Sequence, residues 1–195
     1  MKDKQVVLHI DDSVHPIVQK VRRVPFHVRE QVEKELDRLE ELDIIEKADG
    51  PTPWISPMVI VYKKTGIRLC LDSRAINTAI QRERHPIPTV EDLIVELNGA
   101  KVFSKIDLNK GYHQLELDPK SRYITTFTTH KGLYRYKRLS FGINSAAEVF
   151  QKAISDMLHD IPGTRNMSDD ILVYAKTQEE HDSRSEEHTS ELQSP

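Results

Sequence analysis

The sequence predicts an α+β fold, in which helices and strands follow one another in no regular alternation. Three observations predict it. An apolar stripe of Val28, Val32, Leu36, Leu39 and Leu42 recurs at spacings of 4, 4, 3 and 3 among charged neighbours such as Arg29, Glu33, Lys34 and Asp37. That is a helix with one buried face. Two strand-like runs, Pro57–Tyr62 and Ile67–Leu71, flank Lys63–Gly66 as a hairpin. Later apolar runs mix short strands with one more strongly helical segment, and no internal repeat is visible.

The elements follow in order. Met1–Pro25 is polar, carries Pro16 and Pro25, and reads as a linker or extended arm over residues 1–24. The breakers Asp49-Gly50-Pro51-Thr52-Pro53 close the first helix. Thr89 and Asp92 open a helix through Leu93, Ile94 and Leu97, closed by Asn98-Gly99. Lys101–Asp107 is a strand, and Gln114–Leu117, Tyr123–Thr128 and Leu133–Lys137 are further strands. Ser145–Leu158 is a helix with Val149, Phe150, Ile154, Met157 and Leu158 inward. Arg165–Met167 and Ile171–Tyr174 flank Ser168-Asp169-Asp170 as a second hairpin.

Composition removes several function classes. The 195 residues hold one Cys, so a disulfide framework and a Cys-rich zinc site are excluded. The longest apolar runs, Met58–Tyr62 and Ile171–Ala175, fall far short of the ~20 residues of a membrane span. MKDKQVVLHIDDS lacks the apolar centre of a secretory signal, so the chain reads as intracellular and soluble, with no membrane partner. The net charge of −3 hides a strong asymmetry. Pro119–Ala147 has no acid, but carries Lys120, Arg122, Lys131, Arg135, Lys137 and Arg138 with five aromatic residues interleaved. Val61–His85 is similarly cationic. Such segments track a nucleic-acid backbone or form a solvated strand face.

Three carboxylates then stand out. Asp107 ends the strand VFSKID, and Asp169-Asp170 cap the second hairpin. If those strands are neighbours, the carboxylates converge and repel, and a hard divalent cation relieves the repulsion. Mg²⁺ held by one or two carboxylates, with substrate phosphates completing its shell, serves phosphoryl and nucleotidyl transfer. Each carboxylate is equally compatible with an ordinary turn or a solvated strand end.

The surrounding motifs add a resemblance. VPFHVREQVEKELDRLEELDIIE, GPTPWISPMVIVYKKTGIRLCLDSRAIN, HPIPTVEDLIVELNGAKVFSKIDLNKGYHQLEL, SRYITTFTTHKGLYRYKRLSFGINSAAEVFQ and SDDILVYAKTQEEH stand in this order between about Val24 and His181. Together they resemble the reverse transcriptase of Ty3/gypsy-type retrotransposons with long terminal repeats. The resemblance implies the fingers and palm of a right-hand polymerase over residues 25–182, and DNA synthesis on an RNA or DNA template from a primer and dNTPs by a two-metal mechanism. It implies Asp107 and Asp169 as ligands of two Mg²⁺ ions, with Mn²⁺ as a substitute, assisted by the Leu108 carbonyl. Asp170 would be the carboxylate near the primer terminus. Tyr112 would be the gate under the incoming sugar, and Arg68 would contact the incoming nucleotide. Lys63 and Lys64 would reach the γ-phosphate, and Phe141, Gly142 and Gln151 would lie at the nascent base pair. Asp72 and Arg74 would be structural or face the template. Met167 and Ser168 depart from the family, which usually carries an aromatic residue two before the Asp pair. Ala147 stands where Pro is common, and the Lys63–Arg68 turn is one residue short.

Three geometric expectations follow. The Asp107 and Asp169 carboxylates should lie within roughly 4–7 Å, matching cations ~3.5–4 Å apart. Tyr112 lies five residues after Asp107, so the chain must curl between them to keep both on one side. Gly111 supplies a residue on which it could turn. Finally, Arg184–Ser194 resembles the translation of a sequencing-library adapter. Residues 183–195 are therefore expected to be a non-native, disordered tail packing on nothing. The resemblance further implies a missing thumb and a normal continuation into thumb, connection, ribonuclease H and integrase. It implies weak or no activity for this stretch alone, and a setting in the cytoplasm or in virus-like particles. The alternatives are a non-catalytic nucleic-acid-binding remnant and a metal-dependent nuclease or phosphatase.

Overall fold

The computed structural model describes residues 5–64, 66–82, 89, 91, 94–95, 97–108, 110–167 and 170–193, without the side chains of 167 and 187–193. The strands are β1 (Gln5–Val6), β2 (Ile45–Lys47), β3 (Ser56–Lys63), β4 (Gly66–Leu71), β5 (Val102–Asp107), β6 (Glu116–Leu117), β7 (Phe127–Thr129), β8 (Gly132–Tyr136), β9 (Thr164–Met167) and β10 (Asp170–Ala175). The helices are α1 (Arg29–Glu41), α2 (Ala146–Leu158) and α3 (Gln178–Gln193). The helix expected over 89–97 lies mostly outside the described residues. The chain forms two compact units, one from Gln5–Arg82 and Tyr112–Ala146, the other from Glu83–Gly111 and Ala147–Pro195 with Met1–Lys4. Both are discontinuous in sequence. The mixed class holds.

In the first unit a five-stranded sheet runs β2-β8-β7-β3-β4. The β3–β4 hairpin pairs Met58 with Leu71 through Lys63 with Gly66, and Phe127, Tyr134 and Tyr136 bury a row of aromatic rings on β7 and β8. Helix α1 buries Val32, Leu36 and Leu39, each worth roughly 1.5–3 kcal/mol on full burial. On its outer face Lys34 pairs with Glu30 and Arg38 with Glu35. It ends earlier than its breakers suggest. Asp43 adopts φ 55°, while its N–H donates to Glu40 O at 3.0 Å and that of Ile44 to Leu39 O at 2.9 Å. This pair of bonds is the left-handed helix stop that turns the next apolar residue inward. Ile44 is therefore buried, and Leu42, placed on the stripe by spacing, is 48% exposed.

The arm is extended but docked. β1 runs parallel to β6, Ile10 bridges to Ile80 and Val18 to Ile55, and Val6, Leu8 and Val24 are buried. Two expected strands shorten. Arg122–Thr125 is a 3-10 turn, because the Thr125 and Thr126 hydroxyls donate to the carbonyls of Arg122 and Tyr123, both at 2.7 Å. Such back-bonding competes with a sheet ladder. Gly111–Gln114 is likewise a 3-10 turn, leaving β6 two residues long.

The second unit is an antiparallel sheet, β5-β10-β9, with β10 central. Ile171, Val173 and Ala175 alternate inward along β10, and α2 contributes Phe150, Ile154 and Leu158 to the buried set. The tail differs from expectation: α3 continues through it to Gln193. Glu, Leu, Gln and Arg favour helix, and the Arg184 guanidinium donates to Tyr174 O at 2.7 Å.

Candidate active site

In the three-stranded unit, Asp107 at the end of β5 is the register partner of Asp170 at the start of β10. Residues directly opposite in an antiparallel pair share a face, with Cβ atoms ~4.5–5.5 Å apart, and like charges there repel. Lys105, two residues before Asp107, falls on that face by the period of the strand. Its ammonium bonds Asp170 Oδ2 at 2.7 Å. The hydrogen bond and charge of Asp170, with a smaller pull from Asp107, hold the Lys105 ammonium above the usual lysine range. Asp169, the expected second ligand, lies outside the described residues. Among the described residues no three of His, Cys, Asp and Glu gather as a metal-holding group.

After Asp107 the chain turns, and the left-handed residue is Lys110, at φ 53°, rather than Gly111. Gly111 is needed for another reason. A Cβ there would come within 2.6 Å of Phe150 Cζ. The Leu108 carbonyl accepts the Gly111 N–H at 3.1 Å, so one lone pair is committed to the turn. Gln151 is fully buried, its amide donating to Asn166 O at 3.0 Å while Asn166 donates back to Gln151 O. Its side chain therefore ties α2 to β9 rather than facing solvent.

In the five-stranded unit the Arg68 guanidinium lies 5.3 Å from the centroid of Phe141. Tyr112 packs on the same ring at 4.9 Å and His113 meets it edge-on at 5.5 Å. A flat aromatic face thus seats the cation. Gly142 follows at φ 95° against Ser73. Its loop is latched by Asn77, whose Nδ2 donates to Gly142 O at 2.8 Å and whose Oδ1 accepts the Asn144 N–H at 3.0 Å. Asn77, Asn144, His113 and Lys105 were not singled out from sequence. The two asparagines lie 67 residues apart, and no local pattern links them.

Lys63 and Lys64 are exposed at the hairpin tip. Asp72 is buried between two arginines: Arg22 Nη2 at 2.6 Å, and Arg74 in a two-pronged contact at 2.9 and 2.8 Å. The Arg74 hydrogen bond holds the Asp72 carboxyl below the usual range, against the opposing effect of burial. Asp72 is thus an internal anchor, and Arg74 keeps most of its side chain exposed.

Fold and site together define a polymerase-type chain. The family model for reverse transcriptase (RNA-dependent DNA polymerase) matches residues 47–194, and the chain belongs to this family. It is 33% identical over 179 residues to the Retrovirus-related Pol polyprotein from transposon 412 of Drosophila melanogaster, covering 87% of this chain and 14% of that protein. With the corresponding polyprotein from transposon gypsy it shares 32% over 139 residues, 67% of this chain and 13% of that one. The chain therefore spans a small part of these curated relatives. Among solved structures, the Prototype Foamy Virus Protease-Reverse Transcriptase has the same fold, with a TM-score of 0.84 at 22% identity, over 98% of this chain and 26% of that one. Foamy viral protease-reverse transcriptase in complex with an RNA/DNA hybrid matches at a TM-score of 0.79 and 23% identity, again over 98% of this chain and 26% of that one. Among the described residues no helix is long and apolar enough to cross a membrane.

Proposed function

We propose that the chain performs template-directed nucleotidyl transfer, extending a primer with dNTPs along an RNA or DNA template. The observation that carries this is the pairing of Asp107 with Asp170 on one sheet face, in a chain of the reverse transcriptase family. Two opposed carboxylates are hard oxygen donors that need a cation, which fits Mg²⁺ or Mn²⁺. Asp107, with Asp169 and the Leu108 carbonyl, would hold the two ions, and Asp170 would stand near the primer terminus. The bound ions would neutralise charge on the attacking and leaving oxygens.

The rest of the work falls to side chains of the five-stranded unit. Arg68, seated on Phe141, presents a guanidinium to the triphosphate, where charge develops in a loose transition state. Lys63 and Lys64 add exposed ammonium groups for the γ-phosphate. Tyr112 supports the sugar, and Gly142 allows close backbone approach at the base pair. Arg74, anchored on Asp72, faces the template. Gln151 acts behind the pair, as part of the packing of α2. The RNA/DNA hybrid bound by the foamy viral neighbour supports this substrate class. The setting is a Pol polyprotein inside the cell, in the cytoplasm or in virus-like particles.

The test is Mg²⁺-dependent incorporation of dTTP on poly(rA)·oligo(dT). Weak incorporation that Asp107→Asn abolishes is expected. Primer–template binding without incorporation, unchanged by Asp107→Asn, would instead leave a non-catalytic nucleic-acid-binding module.

A further inference from the structure

Lys105 has no part in the roles assigned above, yet its ammonium sits at the carboxylates. It bonds Asp170 Oδ2 at 2.7 Å, and Asp170 stands opposite Asp107 in the ladder. The burial pattern of β5 alternates, with Phe103, Lys105 and Asp107 on the open face. Strand register therefore puts one cation and two anions on a single patch, the cation one side-chain step below the anions. Among the described residues, this ammonium is the cation that meets the two carboxylates at the sheet edge. A divalent ion bound at Asp107 would sit beside this ammonium, and the two positive charges would repel, loosening the Lys105 contact to Asp170.

We propose that Lys105 is a resident counter-cation of the Asp107–Asp170 pair: it holds the carboxylates together before a divalent ion arrives and gives up Asp170 when one binds. It is a positioning residue, and the inference rests on the metal-binding reading of Asp107. Because an ion on Asp107 meets the positive charge of Lys105 beside it, the carboxylates alone bind it weakly. Firm binding then waits for an ion that arrives with extra oxygen ligands, those of a nucleoside triphosphate. Lys105 thereby couples occupancy of the metal site to arrival of the substrate.

The test is direct binding of Mn²⁺ to the 195-residue chain, read from the loss of the free-ion EPR signal, beside thermal unfolding with and without Mg²⁺. Lys105→Gln should bind Mn²⁺ about two- to fivefold more tightly, the scale of one partly exposed ion pair. It should melt below the unsubstituted chain in the absence of metal, with the gap closing when Mg²⁺ is added. Lys105→Arg should retain the original affinity. If Lys105→Gln binds Mn²⁺ equally or more weakly while Asp107→Asn loses binding, the counter-cation role is wrong and the metal site stands. If neither the unsubstituted chain nor Lys105→Gln binds Mn²⁺, the metal-site reading and the role of Lys105 fall together.

Discussion

The ring of Phe150 on α2 lies against the Cα of Gly111, so close that a β-carbon there would come within 2.6 Å of Cζ and 3.2 Å of both Cε atoms. The restriction is one of space, since the left-handed backbone in this turn belongs to Lys110.

Gly111→Ala should therefore destabilise the fold by about 1–3 kcal/mol, the usual cost of forcing an extra carbon into a packed core. Urea unfolding reads this directly. Phe150→Leu in the same chain should recover part of the loss, because the ring is what the methyl meets. An undiminished midpoint for Gly111→Ala would show that the ring can swing aside.

Asp72 supplies a pH dependence. Arg74, and to a smaller degree Arg22, lower its folded-state pKa beneath the unfolded value of about 3.9. The stability this contributes is present above the unfolded pKa and is lost as pH falls through the folded one. Unfolding curves taken between neutral pH and acid should steepen in their decline below about pH 4. Asp72→Asn should lower stability at neutral pH and flatten that decline. Equal acid sensitivity in the two chains would assign the effect to other carboxylates.

Tyr112 packs its ring against Phe141, with the ring centroids 4.9 Å apart. In a polypeptide extended by the downstream polymerase segment, Tyr112→Ala should shift the dNTP/rNTP ratio of kcat/KM towards rNTP by about tenfold or more. Tyr112→Phe should leave the ratio in place. If alanine leaves it unmoved, Tyr112 serves only to pack the Phe141 ring.

Local pattern made much of the fold legible. The stripe of α1, the β3–β4 hairpin and the placement of Asp107 at a strand end all came from spacing within one element, whereas Asp170, expected in the turn, opens β10. The misses share a physical cause. Leu42 looked like part of the stripe because periodicity cannot see Asp43 stopping the helix. Tyr123–Thr128 looked like strand because β-branched residues favour strands, while their hydroxyls served a turn. The packing anchors of Asp72 and Gln151 were not legible locally, because their partners lie far off in sequence, at Arg22 and Asn166. Lys105 was legible in principle, since it shares a strand face with Asp107, but only the register of β10 gives it an anion to hold.

The docked arm governs where this protein can be cut. A boundary at Pro25, where the composition changes, would strip Val6, Leu8 and Val24 from the hydrophobic interior. It would also take away the Arg22 contact to Asp72 and the backbone bonds that join Ile17 and Gln19 to Ile55. What remained would expose β6 as a bare edge, the kind of surface that recruits a second chain. Residues 5–24 are in this sense a brace for the unit they lean on, and a truncation series should lose soluble protein before it reaches the first helix.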